Sequence, residues 1–170
     1  KVAGSGIAVS GGSGIQIQHA QVSGDGSGGR LSATQELLPV HSEISGPTAV
    51  LVDAASGGQI LHDTLATRAA DAPAPRRAPL VLSAAFDGTI AWNEILAGVP
   101  GPDGIVPQIL AGSLGVLYAA PAFLEHNRVH GLGTGMEVTV SGSGAGLGLV
   151  GASAPNEIFE NGIGIRLTEG

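Results

Sequence analysis

The chain has 170 residues, of which 12% are charged, 43% hydrophobic and 29 are glycine; its net charge is −7 and it contains no cysteine. A mean hydropathy of +0.31 excludes a disordered polyelectrolyte, and the acidic balance opposes a nucleic-acid partner, which needs a basic footprint. Disulfides and thiolate metal sites are excluded with cysteine, and the apolar residues come in bursts too short to cross a bilayer as a helix.

The first thirty residues form a quasi-repeat. Gly4-Ser5-Gly6-Ile7-Ala8-Val9-Ser10 is echoed by Gly12-Ser13-Gly14-Ile15-Gln16-Ile17-Gln18. Ile7 and Val9, then Ile15 and Ile17, alternate with small or polar residues, the period of half-buried strands, and Gly11-Gly12 suits a hairpin between them. Residues 1–30 are therefore expected to be a Gly/Ser-rich β arm, followed by a single domain over 31–170. Ser32-Ala33-Thr34-Gln35 fits a capping box, but Pro39 limits any helix there to a turn. Thr48–Val52 predicts a strand. Ile60, Leu61 and Leu65 lie at helical spacing, making 58–70 the best helix candidate. Three prolines make residues 71–79 a loop.

Leu80-Val81-Leu82 opens a strand, Phe86-Asp87-Gly88 turns, and Thr89-Ile90-Ala91-Trp92 returns. These two segments loosely resemble small phage head-decoration proteins, with no diagnostic motif. Phe86, Trp92, Tyr118 and Phe123 lie close in sequence, so residues 80–125 are expected to hold the densest core, with Trp92 inside it. Leu114–Tyr118 gives another strand. Met136, Val138 and Val140 alternate with Glu137, Thr139 and Ser141. Asn161-Gly162 predicts a type I′ hairpin that pairs Ile158 with Ile165 and sets Phe159 across from Gly164. Asn93-Glu94-Ile95-Leu96 and Asn156-Glu157-Ile158-Phe159 echo each other, the trace that two related β units would leave.

Candidate chemistry is thin. Gly24–Gly29 and Gly146–Gly151 match GxGxxG, yet Asp25 and Pro39 spoil the first and no βαβ unit fits after the second. A Ser-His-Asp site would have to draw on His19, His41 or His62 with Asp53 or Asp63. Glu125, His126 and His130 are the best metal candidates, but only on a helix, and Val129 and Gly131-Leu132-Gly133 argue for loop and strand. Asp25, Asp87 and Asp103 each precede a glycine and read as turn formers.

The composition thus predicts an all-β sandwich or barrel of short antiparallel strands, with at most one or two short helices and the N-terminal arm. The expected function is non-enzymatic: a structural subunit of a multi-copy assembly, virion-like first and an extracellular filament or surface layer second. Its partners would be copies of itself and other assembly subunits, with no cofactor, no metal, no nucleic acid and no membrane insertion. Ile7, Val9, Ile15 and Ile17 would pair with a neighbour, and Arg76 and Arg77 would add rim contacts. The alternative is a ligand- or glycan-binding β module of an adhesin, built on Trp92 or Tyr118 with Asp87 and Asp103; a hydrolase is the remote one.

Overall fold

The computed structural model describes residues 7–10, 16–23, 27–32, 35–53, 56–67, 78–98, 110–140 and 155–169, and every regular element among them is a strand. The chain winds three strands at a time. The first coil is β1 (Ile7–Ser10), β2 (Gln16–Gln18) and β3 (Gln21–Ser23), and the second is β4 (Ser27–Ser32), β5 (Gln35–Val40) and β6 (Glu43–Ser45). The third is β7 (Thr48–Asp53), β8 (Ser56–Leu61) and β9 (Thr64–Thr67), and the fourth β10 (Leu80–Leu82), β11 (Phe86–Ala91) and β12 (Glu94–Ala97). The fifth is β13 (Leu110–Tyr118), β14 (Ala122–Glu125) and β15 (Arg128–His130); β16 (Leu132–Val140), β17 (Glu157–Phe159) and β18 (Ile163–Glu169) follow.

Equivalent strands of successive coils pair side by side, giving three sheets: β1-β4-β7-β10-β13-β16-β18, β2-β5-β8-β11-β14 and β3-β6-β9-β12-β15-β17. All the pairings are parallel. The architecture is a parallel β-helix, not the expected antiparallel sandwich or barrel. Alternation of apolar and polar residues reports only that a strand has one buried face. A solenoid strand has an inner and an outer face just as a sandwich strand does, so the pattern cannot reveal the direction of the partner.

The core is a set of columns running through the coils. Val50, Leu80, Val116 and Met136 lie in register along the first sheet, as do Val52, Leu82, Tyr118 and Val138. Ile60, Ile90 and Leu124 form the column of the second sheet, and Val22, Ile44, Leu65, Ile95 and Val129 that of the third, with Ile158 packed against its end. Leu51, Val81 and Leu117 face the other way and join Ala78 and Leu114 in a smaller outer cluster.

Several local expectations change with this topology. Of residues 58–70, expected as a helix, those to Thr67 lie in β8 and β9 and 68–70 fall outside the described residues: Ile60 and Leu65 both point inward, on opposite sides of a bend at His62-Asp63. β1 and β2 do not form a hairpin; they stack on β4 and β5 in different sheets. Phe86-Asp87-Gly88 is no turn but the start of β11, where the register with β14 shifts. Asn161-Gly162 marks a turn, but between sheets. The Asn161 carboxamide accepts from the Leu132 N–H at 3.0 Å and donates to the Val129 carbonyl at 2.9 Å, both one coil back. Ile165 pairs with Met136 rather than Ile158. The echo of Asn93–Leu96 in Asn156–Phe159 proves structural, since Glu94 and Glu157 both stand in register with Arg128.

The aromatic expectation was half right. Phe86 and Tyr118 are buried, and the Tyr118 hydroxyl both donates to the Ala122 carbonyl and accepts from its N–H. Trp92 and Phe123 are 54% and 55% exposed. Replacing Trp92 by alanine is accordingly expected to cost no more than about 1.5 kcal/mol, not the 3–5 kcal/mol typical of a buried tryptophan, as a urea titration would read.

Candidate functional site

Two features are candidates: the bend between the second and third sheets, and the uncovered edge at β18. At the bend, His19, His41, His62, Trp92 and His126 adopt left-handed backbone, with φ of 50°, 53°, 56°, 59° and 52°. Such a conformation is disfavoured for these residue types by about 1 kcal/mol or more, so something must hold it. Part of the support is a polar ladder made by the next residue of each coil. Ala20 N–H donates to Ser42 Oγ (3.2 Å), Ser42 N–H to Asp63 Oδ1 (2.7 Å) and Asp63 N–H to Asn93 Oδ1 (2.9 Å). Asn93 N–H then donates to Asn127 Oδ1 (3.1 Å), and Asn127 N–H to Asn156 Oδ1 (2.9 Å).

The asparagines are anchored from their other end as well. The Nδ2 groups of Asn93, Asn127 and Asn156 donate to the carbonyls of Ile60, Ile90 and Leu124 at 2.8, 2.9 and 2.8 Å. They also bond one another along the stack, Asn93 to Asn127 and Asn127 to Asn156 at 2.9 Å each. Each amide therefore ties its own coil to the one before it and to its neighbour in the ladder. That is how backbone groups at a buried bend are satisfied without sheet pairing.

Outside the ladder the rings stack. Centroids of His19–His41, His41–His62, His62–Trp92 and Trp92–His126 lie 5.6, 4.9, 6.2 and 4.1 Å apart, with planes within 16° of parallel. The inter-strand spacing of about 4.8 Å sets this repeat. Because ring faces meet ring faces, the row offers mainly edges to solvent. A sugar platform of the adhesin type needs a free face, and Trp92 has His126 against one side and His62 against the other.

The remaining sequence candidates are dispersed. His126 belongs to the ring row, whereas His130 lies buried in β15 with Nε2 3.0 Å from Glu94 Oε1 and its ring against Phe159. No group of three metal-ligating side chains is present among the described residues. Asp63 accepts from a backbone N–H rather than from an imidazole, and Asp87 Oδ1 accepts from Gly57 N–H at 2.5 Å. Ile7 and Val9 lie in β1 and Ile17 in β2; Ile15, Asp103, Arg76 and Arg77 fall outside the described residues. The ladder itself was missed, although His41-Ser42, His62-Asp63, Trp92-Asn93 and His126-Asn127 carry its signature, a ring followed by a small polar residue.

The second candidate lies at the C-terminal end. Ile163, Ile165 and Leu167 stand in register with Thr134, Met136 and Val138 and so continue the inward columns of the first sheet. They are 41%, 54% and 65% exposed. No family model, curated protein or solved structure matches this chain. Its function must therefore be argued from these two features.

Proposed function

We propose that this protein is a structural solenoid unit that joins copies of itself end to end, the β18 edge of one copy receiving the β1 edge of the next. Its role is mechanical and non-catalytic, as a component of a virion or, second, of an extracellular filament or surface layer. The carrying observation is the exposed apolar row Ile163, Ile165 and Leu167 on a strand edge with no partner among the described residues, a combination that soluble solenoids normally cap. The two edges match in register. Ile165 continues the column that begins at Ile7, and Leu167 the one that begins at Val9. Charges are compatible too: in that register Ala8 would face Arg166, already paired with Glu137 at 3.6 Å, so no like charges meet. A head-to-tail contact of this kind does not close on itself, which suits an extended assembly.

Light scattering across a concentration series tests the reading. The native chain is expected to grow in multiples of 16.7 kDa, and Ile165→Lys with Leu167→Lys is expected to remain monomeric with an unchanged unfolding midpoint. A native chain that stays monomeric at millimolar concentration overturns it.

A further inference from the structure

Asp63 is the odd member of the ladder. It is 1% exposed, its Oδ1 accepts from Ser42 N–H, and its Oδ2 has no hydrogen-bond partner among the described residues. At the same place Asn93, Asn127 and Asn156 each carry an NH₂ that donates to a carbonyl of the preceding coil, from Ile60, Ile90 and Leu124. The strand register puts Pro39 opposite Ile60, so the equivalent acceptor for Asp63 is the Pro39 carbonyl. A carboxylate has no proton to give there, whereas a carboxylic acid has one.

We propose that Asp63 works as a protonated surrogate for asparagine, its Oδ2–H donating to the preceding coil, so that the contact between the second and third coils at this bend is a joint that loosens when the proton is lost. Among the described residues no lysine or arginine is paired with it. The groups facing it on the flanking elements are Ser42 and Asn93 within the ladder, the His41 and His62 rings in the outer row, and Glu43 and Glu94 on β6 and β12, on either side of Thr64. Glu43 is bonded to Gln21, and Glu94 lies beside Arg128 and His130. Burial agrees with the geometry, raising the Asp63 carboxyl from 3.8 to about 7 against a smaller opposing effect of the Ser42 N–H.

The direction of the pH effect follows. Between pH 3.8 and about 7 the folded chain keeps a proton that the unfolded chain releases. The stabilising contribution is complete below that window and lost as pH rises through it. Asp63→Asn supplies the missing donor at every pH and leaves the histidines in place. Its stability should match the native chain near pH 4 and exceed it above pH 7, where the unfolding constants should differ by about 10²- to 10³-fold. A difference that does not change with pH, or a variant weaker than the native chain at pH 8, overturns the proposal. Should the variant fail to fold, a carboxyl ¹³C titration of the native protein decides: an Asp63 resonance that titrates near 4 also overturns it.

Discussion

Asn127→Ala is expected to lower the unfolding free energy by about 3–5 kcal/mol, close to the whole stability of a weak domain. The side chain is fully buried and every polar atom is engaged. Its Oδ1 accepts from Asn93 N–H and Asn93 Nδ2, and its Nδ2 donates to the Ile90 carbonyl and Asn156 Oδ1. Truncation orphans at least two of these groups inside the bend, at about 1–3 kcal/mol each. It also withdraws the support that holds His126 in left-handed backbone. Urea unfolding should show a lower midpoint with an unchanged slope. A loss under about 1 kcal/mol would mean that water replaces the amide and that the ladder is ornamental.

The second large effect concerns glycines of the first sheet that lie opposite one another in successive coils. A Cβ on Gly115 would run into the Gly135 carbonyl oxygen and approach Leu132 Cδ1 to 2.7 Å and Val129 Cγ1 to 2.9 Å. The carbonyl is backbone hydrogen-bonded into the stack, so it cannot step aside as a long side chain would. Gly115→Ala is expected to cost at least about 3 kcal/mol, at the upper end for overpacking. Gly164, two coils on, has nothing within 4 Å of the same position, so Gly164→Ala should stay within about 0.5 kcal/mol of the native chain. Thermal unfolding of the two variants side by side checks this; equal losses would refute the packing argument. Gly135 shows what changes when a coil is added, because there the Gly164 carbonyl lies 2.8 Å from an added Cβ.

Much of the fold was legible as strands and almost none of it as topology. Thr48–Val52, Leu80–Leu82, Leu114–Tyr118 and Met136–Val140 were readable because each alternates or buries branched side chains. What they pair with was not. The ladder residues recur at separations of 22, 21, 30, 34 and 29, so no fixed period announces the solenoid. The same-coil neighbour of a strand lies in another sheet, which is why Asn161-Gly162 and Gly11-Gly12 suggested hairpins. Trp92 sounded like core because it ends an apolar run. It sits instead at the left-handed bend, where its side chain is exposed, and the following Asn93 takes the buried place. The exposed row Ile163, Ile165 and Leu167 was not legible as an edge, because its alternation is the same as that of a strand with one buried face.

The stacking of β1 through β18 in strict order also governs how the molecule comes to exist. A coil has no inner face to pack against until the coil beside it is formed, and its strands have no backbone partners within their own turn. The first coil must therefore be ordered at a loss, while each later one closes a loop of a few tens of residues onto a surface already shaped to receive it. Order spreads along the axis from wherever it starts, and a defect in one coil halts the advance there without erasing the turns already laid down.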